Sequence, residues 1–289
     1  MFAVTATTGQ LGRKVIEHLK QLVDPDQIVA IVRDPSKGYD LGVQVRRASY
    51  EDSAAMKKAL AGVERLLLIS GTPDQPRVPL HQNVVEAAKA NSVQHLVYTS
   101  VLHANRWVSP IMQEHAQTER IIGRSGVGFT ILRNGWYTEN NISGLDGVIE
   151  NGKIPGAAGA GRIAWAARGD YAEAAAKILA AGEAAGHTYE LGGDQALSMS
   201  ELAEEISVQS GRPVSYANLP REAYVATLVS LGLPAPIAEG FAALEADDIA
   251  RDILATNSKD LSNILGRFTT PLSETVRAAL GVRLDRNEN

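Results

Sequence analysis

Phe2-Ala3-Val4-Thr5-Ala6-Thr7-Thr8-Gly9-Gln10-Leu11-Gly12 opens the chain after Met1. The apolar run Phe2–Thr5 reads as a strand and leads into a turn carrying Gly9 and Gly12. Leu11, Val15, Leu19 and Val23 then recur at i, i+4 spacing with Ile16 beside them, the stripe of an amphipathic helix over 10–23. A strand that turns through glycine straight into a helix leaves the first amides of that helix unpaired at the strand's carboxyl end. Such an end attracts anions. Gly9 lets the backbone come close to a pyrophosphate, and Gly12 lets the helix pack tightly on the strand. Ala6 stands where a Gly-x-x-Gly-x-x-Gly loop has its first glycine. If the turn needs positive φ there, the Cβ costs about 1–2 kcal/mol, and a methyl at a point of close approach weakens cofactor binding.

Outward from this loop, short β-branched runs alternate with helical patterns. The runs Ile28–Val32, Val43–Arg46, Val63–Ile69, His95–Thr99 and Gly128–Leu132 are not strictly alternating, as suits strands buried on both faces of a parallel sheet. Helices are predicted near 52–61, 77–91 and 110–125. The stretch after Arg33, with Pro35 and Gly38, has room for one or two helical turns. Repeated β-α-β alternation predicts an α/β, Rossmann-type doubly wound parallel sheet. Later the character changes. Ile163–Ala166, Thr188–Leu191 and Pro213–Tyr216 read as short strands, and helices are expected near 170–179, 198–210, 220–231, 236–254 and 272–280. Asp170 with Glu173, and Ser198 with Glu201, have capping-box spacing. The expected organisation is a dinucleotide-binding domain over 1–150 and a smaller, mostly helical lobe over 151–289, interleaved with the sheet.

Composition narrows the function classes. The 289 residues are 45% hydrophobic and 21% charged, ordinary for a globular enzyme. The net charge of −5, with no basic run, disfavours nucleic acid as a partner. The absence of cysteine excludes disulfide scaffolds, thiol nucleophiles, iron–sulfur clusters and thiolate zinc sites. The strongly apolar run Leu66–Ile69 is far short of the ~20 residues that span a bilayer, and no targeting segment is evident. A cytoplasmic protein with no membrane partner is expected. At the end of the second strand, Arg33 lies about 20 residues beyond the loop, where an acidic residue would bind the ribose 2′-hydroxyl. Arginine can instead pair with a 2′-phosphate through its planar fork, which predicts NADP(H). Asp34 comes one place late, and Pro35 turns the chain away.

Several segments together resemble the NmrA-like atypical short-chain dehydrogenase/reductase family, in particular its bacterial NADPH-dependent quinone oxidoreductase branch, near triphenylmethane reductase. They are Thr5-Ala6-Thr7-Thr8-Gly9-Gln10-Leu11-Gly12, Ile31-Val32-Arg33-Asp34-Pro35, Leu66-Leu67-Leu68-Ile69-Ser70-Gly71, Tyr98-Thr99-Ser100 and Leu132-Arg133-Asn134-Gly135-Trp136-Tyr137-Thr138-Glu139-Asn140. The resemblance covers essentially the whole chain and implies a Rossmann domain with a small C-terminal lobe and a cleft between them. It implies Thr5, Thr7, Thr8, Gly9, Gln10 and Leu11 around the pyrophosphate and Arg33 at the adenosine end. It also implies Ser70, Gly71 and Thr72 beside adenine and ribose, and Thr99 and Ser100 near the nicotinamide ribose. Asn134, Gly135, Trp136 and Tyr137 would line the nicotinamide side.

Acid–base groups are sparse. Conventional short-chain dehydrogenases use Tyr-x-x-x-Lys, but the residues four after Tyr98, Tyr137, Tyr171 and Tyr189 are Leu102, Asn141, Ala175 and Gly193, and the other tyrosines also lack the lysine. Quinone reduction needs such a pair less, because a quinone already accepts hydride well and its reduced oxygen needs only a donor or water. His115 could supply that donor. It shares a helix face with Glu119, so a solvated His–Glu pair competes with that role. Two ligands do not make a zinc site, and no metal is expected. Asn134, Tyr137 and His115 are the candidate catalytic residues. Trp136 and Tyr137 would wall a cleft for a flat quinone-like substrate. The expected function is an NADPH-dependent reductase of quinones or related flat electrophiles, by direct hydride transfer without flavin or metal. The alternative is a non-catalytic NADP(H)-sensing regulator.

Overall fold

The computed structural model describes residues 1–71, 76–182 and 186–287. Strands β1 (Phe2–Val4), β2 (Ile28–Val32), β3 (Gln44–Arg47), β4 (Arg65–Leu68), β5 (His95–Val101) and β6 (Gly128–Asn134) form one sheet with β9 (His187–Leu191), in the order β3-β2-β1-β4-β5-β6-β9. Every pairing is parallel. All residues of β2 and β5 are buried, as expected for strands covered on both faces. The sheet is therefore the Rossmann-type one predicted, with one addition. The strand expected at 188–191 is no part of the smaller lobe but the seventh strand of the main sheet.

Two clusters of buried side chains flank the sheet. On one face α1 (Gln10–Leu19) and α7 (Arg168–Ala181) pack through Leu11, Val15, Ile16, Leu19, Tyr171, Ala175 and Leu179. On the other, α2 (Ser53–Ala59), α3 (Arg77–Ala90) and α4 (Pro110–Arg124) contribute Met56, Val84, Ala88 and Ile122. The placement of α7 is unusual. The crossovers through α2, α3 and α4 run toward the β9 edge on their face, and α1 runs toward the β3 edge on the opposite face, so these share one hand. The β6–α7–β9 crossover runs toward the β9 edge on the face of α1, so its hand is opposite to the usual right-handed one. The chain reaches that face through a detour of α5 (Thr138–Ile142), α6 (Leu145–Asn151), β7 (Lys153–Gly156) and β8 (Arg162–Ile163).

That detour and the C-terminal part of the chain build the smaller lobe. In it β7 pairs with β11 (Ser215–Asn218) and β8 with β10 (Leu197–Ser198), beside α8 (Met199–Ser210), α9 (Arg221–Ser230), α10 (Ala235–Ala243) and α12 (Leu272–Asn287). The short helix α11 (Asp260–Leu265) packs instead under α7 with the sheet. The lobe's core includes Trp107, Leu145, Trp165, Leu202, Ile206 and Leu254.

Some predicted boundaries move. The helix expected over 10–23 ends at Leu19. The helix expected over 236–254 breaks after Ala243 into a π-turn (Leu244–Asp248) and a 3-10 turn (Ile249–Arg251). In the π-turn the Asp248 carboxylate accepts the Val108 and Ser109 amides at 2.7 and 3.0 Å, tying the lobe to the start of α4. Ser198 and Glu201 form the expected capping box. Asp170 and Glu173 do not. α7 starts at Arg168 behind Ala167, and the Asp170 carboxylate leaves the helix end to meet Arg267 Nη2 (2.9 Å) and the Thr270 amide (2.7 Å). The two turns after Arg33 are 3-10, Pro35–Lys37 and Tyr39–Leu41.

The tightest point is where α1 leaves β1. A Cβ on Gly12 would lie 2.5 Å from the Ala6 carbonyl oxygen and 2.7 Å from Thr7 Cα. Both neighbours are backbone and cannot swing aside. We expect Gly12→Ala to cost about 1–3 kcal/mol by overpacking, seen as a lower urea midpoint. An unchanged midpoint would show that the loop moves without strain.

Candidate functional site

The site begins at the β1–α1 turn. Thr5 Oγ1 accepts the Ile69 amide at 3.0 Å and lies 3.2 Å from the Leu67 carbonyl oxygen. The Tyr50 hydroxyl donates to the Ile69 carbonyl at 2.7 Å and lies 2.5 Å from Thr5 Oγ1. Thr7 Oγ1 donates to the Ile31 carbonyl at 3.4 Å. Thr5 and Thr7 are fully buried. Their hydroxyls therefore brace the ends of β1, β2 and β4 rather than face a pyrophosphate, which corrects the expectation for these two side chains. Thr8, Gly9 and Gln10 do reach the surface, while the Leu11 side chain is core and has only its amide to offer.

The helix end is open to an anion. Gly9 caps α1 with no side-chain hydrogen bond and no acid in the first turn. The Gly9 amide donates to Ala6 and that of Arg13 to Gly9, while the amides of Gln10, Leu11 and Gly12 have no backbone partner among the described residues. Three aligned donors at the positive end of a ten-residue helix fit a diphosphate. Ala6 has φ +51°, the left-handed conformation in which a Cβ is strained.

At the end of β2, the expected adenosine end, Arg33 is exposed and forms no ion pair or hydrogen bond among the described residues. Its neighbour Asp34 is turned away. Its Oδ1 accepts the Ser36 hydroxyl and amide at 2.7 and 3.0 Å, and these bonds hold the carboxyl below its ordinary range. Arg47, at the end of β3 and in register with Val32, brings a second cation to this edge. Sequence reading missed it, although a basic residue ending a strand beside β2 was a usable signal.

Around the expected nicotinamide side the predicted residues divide by strand alternation. The Ser70 amide donates to Thr99 Oγ1 at 2.8 Å. Ser100 points to the other face of β5, where its hydroxyl meets Glu119 at 2.5 Å, so it is not grouped with Thr99. The Gly71 carbonyl accepts Arg77 Nε at 3.1 Å. Thr72 lies outside the described residues. After β6, Asn134 is 5% exposed, its Nδ2 donates to the Tyr137 hydroxyl at 3.3 Å, and its Oδ1 has no partner. Gly135 is required by close approach, because a Cβ there would lie 2.9 Å from the Tyr171 hydroxyl and 3.0 Å from the Leu191 carbonyl. Trp136 turns into the core of the small lobe, and Tyr137 packs against the Tyr171 ring on the sheet side. One segment thus joins the sheet side to the small lobe at the sheet's carboxyl edge, where open α/β sheets bind ligands.

His115 is neither a surface donor nor a partner of Glu119. It is 6% exposed and its Nδ1 lies 2.9 Å from the Tyr98 hydroxyl. Burial first, then the Arg77 charge, pushes its pKa well below the ordinary value, and burial raises that of Tyr98. Tyr98 therefore donates and a neutral His115 accepts. Glu119 instead binds Arg133 through both oxygens, at 2.9 and 2.7 Å. Arg133 reaches Glu190 at 2.6 Å, and Glu190 accepts the His103 amide at 2.9 Å. This chain of charges ties together the ends of β5, β6 and β9.

The profile of the NAD(P)H-binding family matches residues 7–182. Quinone oxidoreductase 2 of Escherichia coli is 45% identical to this chain over 96% of its length and 97% of the relative's. The crystal structure of the NADPH-dependent quinone oxidoreductase from Escherichia coli complexed with NADPH superposes with a TM-score of 0.93 at 44% identity, covering 97% of this chain and 100% of that one. Triphenylmethane reductase of Citrobacter sp., complexed with NADP(H), gives 0.92 at 37% identity, covering 96% and 100%.

Two predictions follow from the geometry of the site. The strain at Ala6 is present in the folded backbone itself, so its relief is read in stability. After allowing for the greater freedom of glycine in the unfolded chain, Ala6→Gly should gain about 0.5–1 kcal/mol, measured by urea unfolding; a loss would show that the turn does not need a left-handed residue. The second prediction concerns acid. Burial above all lowers His81 to about 3 and His95 to about 4, and His115 also stays neutral when folded. Below about 6.5 the unfolded chain binds protons that these groups refuse. Their contribution is complete above that pH and declines as pH falls, by up to roughly 1.4 kcal/mol per unit for each histidine. The urea midpoint should fall between pH 7 and 5.5, before carboxylates titrate, and equal midpoints would contradict the buried neutral state.

Proposed function

The chain belongs to the NAD(P)H-binding family, and on that premise we propose that it is an NADPH-dependent oxidoreductase that reduces quinones or related flat electrophiles, by direct hydride transfer without flavin or metal. The observation that carries this reading is the pairing of an open α1 end, with three unpartnered amides, and an unpaired Arg33 at the end of β2. The first suits a diphosphate and the second a 2′-phosphate. The similarity to quinone oxidoreductase 2 and triphenylmethane reductase supports the choice of electrophile.

Bound NADPH supplies the hydride. The Gln10, Leu11 and Gly12 amides hold the diphosphate, and Arg33, with Arg47 beside it, holds the 2′-phosphate. Asn134, with a buried unpartnered Oδ1, is suited to accept a donor from the nicotinamide end. Trp136 and Tyr137 bound the cleft and exclude water from it. No residue in this set is a strong acid at neutral pH. The reduced oxygen takes its proton from water or a hydroxyl, and the protein's part is placement. Buried, neutral His115 is engaged with Tyr98 in the core and is not the proton donor. The partner is a small flat molecule, and a cytoplasmic location is part of the same proposal.

NADPH oxidation on adding a simple naphthoquinone tests the reading, and a regulator that only senses the cofactor would bind NADPH without oxidising it. A charge-assisted contact from Arg33 contributes about 1.5–3 kcal/mol, or roughly 10- to 150-fold. Arg33→Ala should raise KM for NADPH by about that factor and leave NADH nearly unchanged. Equal loss with both cofactors would make Arg33 a surface charge without a role in cofactor choice.

A further inference from the structure

A cavity of about 420 Å³ opens where the small lobe meets the carboxyl end of β9. That volume suits one small molecule. Its walls come from the stretch after β8, the turn after β9, β10 and the segment between α11 and α12, and no residue placed at the cofactor lies on them. In the sheet β9 is four strand spacings from β1, whose turn carries the open helix end, or about 19 Å. The start of α7 stands between the cavity and the segment after β6. Arg168 stacks on the Tyr137 ring, while Asp170 holds Thr270 at the edge of the cavity. Two residues apart on a helix, these side chains leave it on nearly opposite sides.

Phe268 stands at the rim of this cavity and is 84% exposed, more than any other large apolar side chain among the described residues. The turn that carries it is braced on both sides. Arg267 Nη2 donates to Asp170 at 2.9 Å and to Glu173 at 2.7 Å. The Asp194 carboxylate accepts the amide and hydroxyl of Thr269 at 2.7 and 3.0 Å, and that of Asp170 accepts the same two groups of Thr270 at 2.7 and 3.0 Å. The ring is therefore held out by the bonds of its neighbours, and apolar surface displayed in this way marks a contact site. Trp165, Leu197 and Leu272 line the cavity with it. The Trp165 indole is fixed as well, because its Nε1 donates to Asn141 Oδ1 at 3.0 Å.

Two opposite charges lie at the mouth, and they differ in reach. The Lys259 side chain is 54% exposed and that of Asp194 16%. Lys259 Nζ donates to Asp194 Oδ1 at 3.1 Å and to the Asp194 carbonyl at 3.3 Å, which leaves a third N–H to solvent. The Asp194 carboxylate is taken up by Thr269 and Lys259. The charge that a ligand meets is the ammonium. Gln195 beside it is exposed, and its carboxamide has no hydrogen bond among the described residues.

We propose that this cavity is a binding site for a flat aromatic carboxylate, separate from the cofactor cleft. The rings lie between Phe268 and the wall formed by Trp165, Leu197 and Leu272, and the carboxylate meets the Lys259 ammonium with Gln195 as a second donor. A bound ring covers the one large side chain that the turn holds in water, and the braced walls lose little freedom when it enters.

The test uses the full chain and 2-naphthoate, followed by titration calorimetry with and without NADPH. One saturable site with a Kd of about 0.1–1 mM is expected in both conditions. Phe268→Ser should weaken it about five- to tenfold. Lys259→Met should weaken it about two- to fivefold and remove most of its salt dependence. Neutral 2-naphthamide should bind the parent about as weakly as 2-naphthoate binds Lys259→Met. Both substituted side chains are exposed, so the urea midpoints should match the parent's. If either variant does not fold, Phe268→Leu or Lys259→Gln replaces it, with a loss of at least about twofold expected. Absence of saturable binding below about 5 mM, or equal affinity in parent and variants, overturns the proposal. So does displacement of 2-naphthoate by NADPH or by a naphthoquinone, which would put the probe in the cofactor cleft. A dimer seen by sedimentation and lost in Phe268→Ser would give the cavity to a second copy of the chain, and also overturns it. Each readout is binding or assembly, so a failure of the proposed function leaves this test intact.

Discussion

The architecture turns on one steric constraint, the contact of α1 with the Ala6 carbonyl. The Gly9 amide donates to that oxygen at 3.0 Å, and there is no room for a Cβ at Gly12 against it. This contact sets the angle at which α1 leaves the sheet and so where its three free amides point. The two buried threonines hold it from below. Thr5 reaches β4, and Thr7 reaches β2. A left-handed alanine is the local cost, on the order of 1–2 kcal/mol, and the buried bracing around it makes that strain tolerable.

A second constraint acts at the far side of the cleft. A seven-stranded sheet with only right-handed crossovers would place α7 beside α4, away from α1. The excursion through the small lobe brings it to the other face instead. With α7 there, Tyr171 and the end of β9 close on Gly135 so tightly that a Cβ would be crowded. The same crowding presses Tyr137 against Tyr171, with ring centroids 5.1 Å apart, and leaves the other side of Tyr137 to Arg168. The stacking of Tyr171, Tyr137 and Arg168 therefore follows from the topology as much as from the residues themselves.

The sheet was legible in the sequence because its signals are local. Buried strands such as β2 and β5 are runs of apolar and β-branched residues, and α1 carries a clean apolar stripe. The placement of α7 was not legible, because the hand of a long crossover leaves no local trace. The site was legible where backbone does the work, in the open first turn of α1 with its unpartnered amides. It was misread where a side chain had two directions to choose from. Thr5 and Thr7 look like phosphate ligands, but their hydroxyls satisfy carbonyls at the strand ends. Ser100 follows Thr99 in sequence, and strand alternation sends it to the opposite face. His115 and Glu119 have the spacing of an exposed helical pair. Their helix face is the buried one, and each finds a partner on the sheet, Tyr98 for the histidine and Arg133 for the glutamate.

That last exchange bears on how the site keeps its shape. Arg133 occupies the strand position just before Asn134, so its side chain leaves β6 on the face opposite that of Asn134. Glu119 from α4 and Glu190 from β9 grip it there at 2.7 and 2.6 Å. Glu190 also takes the amide of His103, a residue in the left-handed conformation with φ +53°, whose ring Nδ1 donates to the Ile253 carbonyl of the small lobe at 2.9 Å. Each link joins a different element, so one guanidinium ties together three strand ends already paired by their ladders, and through Glu190 and His103 the network reaches the lobe that Asp248 also ties to the start of α4. A mostly desolvated pair of this kind contributes little net stability against an apolar replacement, yet breaking it by removing one partner is costly. Its consequence here is geometric. With Asn134 on one face of β6 and the ion network on the other, the Asn134–Tyr137 contact is backed by charges that take no part in it.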